Sequence, residues 1–288
     1  MLAPAELRAL AHALDLRPTK RRGQNFLVDA NTVRRLVRLA EVGPHDTVLE
    51  IGPGLGSMTL GLLGAAGAVV AVEVDPPLAA ALPVTAAARL PAETAARLHV
   101  VLADGLRLTA ADLPADLPAG LPAPNVLAAN LPYNIAVPLL LGVLERLPSL
   151  RRGLVMVQAE VADRLTSPPG SRVYGAPSVK LAWYAHSRPA GGVPRPVFWP
   201  QPNVDSGLVA FTRRTPPGPA ELRAEVFAAV DAAFAQRRKT LRTALAPWAG
   251  SRDAASALAE AAGVDPGARG ETLDVEAFCR LAIARAAR

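Results

Sequence analysis

VLEIGPGLGSMTLGLL, residues Val48 to Leu63, is the stretch that decides how this chain is read. An apolar run ends at Glu50 and Ile51, Gly52, Gly54 and Gly56 follow at alternate positions, and an apolar pattern resumes from Met58. A strand, a tight glycine turn and a helix in that order open a doubly wound parallel sheet, where glycines let a ligand approach the backbone. The helix is expected to be capped near Ser57. The dinucleotide fingerprint is Gly-x-Gly-x-x-Gly; here the spacing is Gly-x-Gly-x-Gly, with an acid two residues before the first glycine.

Outward from that stretch, short apolar runs alternate with helical patterns. Strands are expected near Thr47–Ile51, Val69–Val74, His99–Ala103, Val126–Ala129, Gly153–Gln158, Leu181–His186 and Gly207–Phe211. Helices are expected near Ala30–Ala40, Met58–Leu63, Pro77–Leu90 and Val137–Leu147. This alternation predicts an α/β fold of the Rossmann-like kind, with the last two runs forming an antiparallel hairpin at one edge. The Pro/Ala-rich residues 105–124 read as a surface insertion, and 213–219 as a linker. Beyond it Leu222, Val226, Val230, Phe234, Leu241 and Leu245 recur at helical spacing. The expected division is therefore 1–214, a ligand-binding α/β domain with a basic N-terminal segment, and 215–288, a small all-helical domain.

Glu73 ends the second strand, 19 residues after Gly54, where a carboxylate can accept hydrogen bonds from ribose hydroxyls. Asp104 ends the third, placed to accept from an adenine amino group. With the glycine turn, these acids line the carboxyl ends of three strands, so an adenosine-bearing ligand is expected. S-adenosylmethionine fits the glycine spacing better than a dinucleotide does.

The fourth strand ends in Asn130-Leu131-Pro132-Tyr133, beside that ligand. An asparagine oxygen and a neighbouring carbonyl can each accept one N–H of an aromatic amine. This aligns the nitrogen with a methyl donor and favours its tetrahedral geometry over the planar ground state. Pro132 stiffens the carbonyl, and Tyr133 offers a face on which an extruded base can stack. No base is required, because the amine becomes acidic once methylated, and His12, His45, His99 and His186 lie away from every motif.

Charge points the same way. Of the 288 residues, 31 are Lys or Arg and 25 are Asp or Glu, for a formal charge of +6. The segment Arg17–Arg38 holds seven basic residues and one acid, so the remainder is formally neutral. A second knot runs from Arg237 to Arg242. Such clusters suit phosphate backbones. The one cysteine, Cys279, excludes an internal disulfide and a Cys-based zinc site, and fits a reducing cytosol. No signal peptide or membrane span is expected.

Several motifs in order, GQNFLVD (23–29), LEIGPGLGSMT (49–59), VVAVEVD (69–75), LADG (102–105), ANLPYNI (129–135), VFWPQPNVDSGLV (197–209) and RRKTLR (237–242), carry a resemblance through most of the chain. It resembles the bacterial adenine dimethyltransferases of small-subunit ribosomal RNA. The resemblance implies a class I S-adenosylmethionine-dependent enzyme that dimethylates the 6-amino groups of two adjacent adenosines in the 3′-terminal hairpin. It implies cofactor contacts at Asn25, Leu27, Gly52, Gly54, Glu73, Asp104 and Asn130, and a target site at Asn130, Leu131, Pro132 and Tyr133 with Phe198 as a second aromatic against the flipped base. It also implies rRNA contacts from Lys20, Arg21 and Arg22 and from Arg237, Arg238, Lys239 and Arg242. The implied partner is the immature small subunit, met in the cytoplasm by a monomer without metal, which also acts as an assembly factor. The insertion before Asn125 is longer than the family usually carries. The alternative is the related class that modifies large-subunit rRNA and gives macrolide resistance, which usually shows Asn-Ile-Pro-Tyr. DNA adenine methyltransferases resemble Asp/Asn-Pro-Pro-Tyr at this motif and fit less well.

Overall fold

The structure, a computed structural model, describes residues 2–16 and 25–287. Nine strands occur among them: β1 (Phe26–Leu27), β2 (Thr47–Ile51), β3 (Ala68–Glu73), β4 (Leu98–Leu102), β5 (Val126–Asn130), β6 (Arg152–Gln158), β7 (Ala185–Val193), β8 (Phe198–Trp199) and β9 (Ser206–Arg213). Seven form one sheet in the order β4-β3-β2-β5-β6-β9-β7, and β1 pairs with β8 in a two-stranded ribbon. The first five strands of that order run parallel, and β9 runs antiparallel to β6. All residues of β2 and β3 are buried, as continuous apolar runs covered on both faces require.

The chain leaves β2 for β3 and β4 on one side, then crosses back to β5 and β6 on the other. The order therefore reverses between β2 and β5. Ligands of open α/β sheets bind outside the carboxyl ends of the strands at such a switch point.

Two compact units divide the chain. The first takes Met1–Ala162 and Arg188–Thr212, the second Asp163–Ser187 and Arg213–Arg288. The division expected from sequence, 1–214 and 215–288, was contiguous; the structure instead gives residues 163–187 to the second unit. Helices Ala176–Tyr184, Arg223–Ala235, Arg252–Ala261 and Val275–Ala286 are its longest elements. Its core joins Trp183 to Phe227 and Phe234 to Phe278 at ring distances of 6.3 Å each, and Tyr174 Oη donates to the Leu273 carbonyl at 2.8 Å.

The run at Leu181–His186 is a correction. Residues up to Tyr184 are helical, and the strand starts only at Ala185. Pro177 stands in the first helical turn, where its missing N–H costs nothing, and the Gly175 N–H donates to Ser178 Oγ at 3.0 Å. The expected edge hairpin is also modified, since β9 lies between β6 and β7 and β7 forms the edge. Residues 105–124 contain one short 3-10 turn, Ala110–Asp112, and no longer element.

Candidate active site

A cavity of about 390 Å³ opens at the carboxyl ends of β2, β3, β4 and β5, within the range of cofactor sites. Its wall includes Asn25, Leu27, Gly52, Gly54, Glu73, Asp104 and Asn130, all seven expected cofactor residues. Pro132 lines it as well, whereas Leu131, Tyr133 and Phe198 do not appear in the wall.

The glycine turn is built on left-handed backbone. Gly54 has φ +56, and a Cβ there would stand 2.8 Å from Cε1 of Phe26. Gly56, with φ +90, is the N-cap of the helix Ser57–Leu63, one residue before the expected cap. Ser57 does something else: its hydroxyl donates to the Leu27 carbonyl at 2.7 Å and ties β1 to the turn.

Glu73 is 5% exposed and accepts from three backbone donors. Its Oε2 accepts from the Gly54 N–H at 3.1 Å, and its Oε1 from the Val74 and Asp75 N–H groups at 2.9 and 3.0 Å. Oε1 is filled by its two donors, whereas Oε2 keeps capacity for a further donor such as a ribose hydroxyl. Burial raises its pKa, opposed by those three donors. Asp104 Oδ1 accepts from the Leu106 N–H at 2.9 Å, closing a turn at the cavity's edge.

Glu50 lines the same cavity; in the sequence it stands only as an acid before the glycines. It is 2% exposed and accepts from Thr59 Oγ1 at 2.7 Å. Burial pushes its carboxyl up to about 8; the Thr59 hydrogen bond opposes the shift and neighbouring Glu73 adds to it. The buried carboxyl is therefore shifted toward its protonated form. The available signal was a charged residue inside an otherwise apolar strand.

At the end of β5, Asn130 Nδ2 donates to the Asn25 carbonyl at 3.0 Å. That bond fixes the orientation of the amide, and its oxygen is the end that remains to accept. The Leu131 N–H donates to the Met156 carbonyl of β6 at 3.0 Å, so the Asn130–Leu131 peptide is held by the sheet. Tyr133 is half-buried, and its hydroxyl shares a 2.6 Å hydrogen bond with Ser206, itself 1% exposed. Burial raises the Tyr133 pKa, with Asp205 adding and the Ser206 bond opposing. Phe198 is 4% exposed, opposite Leu27 in the β1–β8 ribbon. No histidine lines the cavity.

The basic residues differ in their engagement. Arg237 donates to Glu271 Oε2 at 2.7 Å and to the Arg172 carbonyl at 2.6 Å, and Arg242 pairs with Asp253 at 3.0 Å. Arg238 and Lys239 carry no ion pair among the described residues, and Lys239 is exposed. Lys20, Arg21 and Arg22 lie outside the described residues.

A switch-point cavity with a glycine turn and a backbone-held acid suits an adenosine-bearing ligand such as S-adenosylmethionine. The family model for ribosomal RNA adenine dimethylase matches residues 17–286. The ribosomal RNA small subunit methyltransferase A of Kineococcus radiotolerans is 61% identical over 285 residues, covering 99% of this chain and 92% of the relative. The 23S rRNA methyltransferase ErmE is 26% identical with a TM-score of 0.62, covering 90% of this chain and 99% of that one. A dimethyladenosine transferase from Plasmodium falciparum shares the fold, with a TM-score of 0.71 at 20% identity, over 89% and 95% of the two chains. The chain belongs to the ribosomal RNA adenine dimethylase family. No helix of the described residues is long and apolar enough to cross a membrane.

Proposed function

We propose that this protein transfers methyl groups from S-adenosylmethionine to the 6-amino groups of two adjacent adenosines in the 3′-terminal hairpin of small-subunit rRNA. The observation that carries the reading is the oriented amide of Asn130, which lines the cavity with its nitrogen committed to Asn25. The 61% identity to a small-subunit enzyme, against 26% to the large-subunit enzyme ErmE, supports small-subunit rRNA over the macrolide-resistance alternative. The reading includes an immature subunit as partner, a cytoplasmic setting, a monomeric enzyme without metal, and a role in late assembly.

The cofactor supplies an activated methyl group on its sulfonium. Asn25, Leu27, Gly52, Gly54, Glu73, Asp104 and Asn130 would hold it, with Glu73 serving the ribose and Asp104 the adenine. Asn130 Oδ1 and the Leu131 carbonyl would accept hydrogen bonds from the two N–H groups of the target amine and leave its lone pair free for methyl transfer. Pro132 and the bond from Leu131 to Met156 keep that carbonyl still. The proton lost after transfer goes to water. Tyr133 stacks the extruded base. Phe198 is buried, so its contact with the base requires that its ring be uncovered when RNA binds. Arg238 and Lys239, with Lys20, Arg21 and Arg22, meet rRNA phosphates, whereas Arg237 and Arg242 first have to leave carboxylate partners.

Asn130→Ala separates chemistry from binding. It is expected to lower transfer by about 10²–10³-fold while small-subunit affinity stays near wild type. Loss of subunit binding together with transfer would contradict the assigned role.

A further inference from the structure

The turn that carries Asp104 is held by a guanidinium. Arg146, the last residue of the helix Ala136–Arg146, donates from Nε to the Leu108 carbonyl at 2.7 Å. Its Nη2 donates to the Leu106 carbonyl at 2.8 Å and, more weakly, to that of Gly105 at 3.4 Å. Among the described residues it makes no ion pair. A planar fork serving three carbonyls of one loop fixes that loop's shape in a way a lysine ammonium does not. Gly142, one turn earlier, makes the room: a Cβ there would meet Nη1 at 2.7 Å and Nη2 at 2.9 Å.

The clamped segment connects directly to the cavity. Asp104 and Gly105 both line it, and Gly105 packs so closely on Ile51 that a Cβ would stand 2.9 Å from its Cγ2. Downstream, the long insertion is pinned again: Thr47 Oγ1 donates to the Pro122 carbonyl at 2.7 Å, and Ser149 Oγ to that of Pro124 at 2.7 Å. Without Arg146, the stretch from Asp104 toward residue 122 would lose its upstream anchor.

We propose that Arg146 is a positioning residue for the adenine end of the cofactor site, holding residues 105–108 so that Asp104 faces the base's amino group. The proposal rests on reading Asp104 as the acceptor of that amino group. Ordering the turn in the fold removes its cost from binding.

The test uses the full-length protein and two probes, S-adenosylhomocysteine and its 6-oxo analogue S-inosylhomocysteine, titrated by calorimetry. Arg146→Met is expected to weaken S-adenosylhomocysteine binding about ten-fold, the scale of lost charge-assisted hydrogen bonds, and to change S-inosylhomocysteine binding less than about two-fold. Arg146→Lys should fail to restore the difference. Gly142→Ala, which displaces the guanidinium without removing it, should move affinity the same way and serves if Arg146→Met does not fold. Asp104→Ala combined with Arg146→Met should be no weaker than Asp104→Ala alone. Equal losses for both probes, or lowered thermal stability with unchanged affinity, would overturn the proposal and leave Arg146 a brace. Failure of wild type to bind S-adenosylhomocysteine, or an Asp104→Ala variant as selective as wild type, would overturn the underlying cofactor reading, and the proposal with it.

Discussion

Burial favours the protonated form of Glu50, and that makes stability depend on pH in a defined direction. Its folded pKa of about 8 lies above the ordinary 4.5, so the folded state holds a proton that the unfolded chain has lost. Stability from this group is complete below about pH 4.5 and is lost as pH rises toward 8. Glu50→Gln keeps an acceptor for Thr59 and removes the titration. Between about pH 5 and 8, the wild type should lose about 3 °C or more of Tm relative to that variant, measured without cofactor; parallel curves would show that Glu50 is ionised in the fold. Tyr133 offers a second test. Tyr133→Phe leaves the buried Ser206 hydroxyl without its partner and should cost roughly 1 kcal/mol in urea unfolding, with most transfer activity kept. Tyr133→Ala removes the stacking face and should lower transfer by about ten-fold or more. Similar rates for the two variants would place the ring outside the base site.

The glycine turn, the ribbon β1–β8 and the helix Ser57–Leu63 act as one assembly through the Ser57–Leu27 bond and the close approach of Phe26 to Gly54. Gly54→Ala adds strain at positive φ and drives a methyl group into the Phe26 ring. It should weaken S-adenosylmethionine binding about ten-fold or more; unchanged affinity would mean that the ribbon yields freely. This assembly also shows what the sequence makes legible. Strands β2, β3 and β5 announce themselves because each is an apolar run of strand length that leads into a glycine, an acid or an asparagine, and those endings are part of the cavity wall. The helix Ala176–Tyr184 was hidden: Val179, Leu181 and Trp183 alternate as a strand would, and all three are buried. Arg146 and Ser206 carried no local signal, since their partners lie 38–41 and 73 residues away. The membership of residues 163–187 in the second unit depends on long-range contacts of the same kind.

Across the whole molecule, a formal charge of +6 favours a polyanionic partner, but the cations are not equivalent. Arg237 is engaged with Glu271 and with loop carbonyls, whereas Arg238 and Lys239 have no ion pair among the described residues. Replacing Arg238 and Lys239 together with Ala should weaken binding to small-subunit rRNA, reduce the slope of log affinity against log salt by roughly 1–2, and leave Tm unchanged. Arg237→Ala should instead lower Tm by breaking contacts within the second unit; an effect on salt slope alone would make it an RNA contact. The methyl transfer itself can be measured directly. Labelled methyl groups are transferred from S-adenosylmethionine into small subunits from a strain lacking the modification, and the rRNA is digested to nucleosides and mapped. Dimethyladenosine is expected at two adjacent positions of the 3′-terminal hairpin. Label in large-subunit rRNA instead, or no label while the cofactor still binds, would contradict the proposed function.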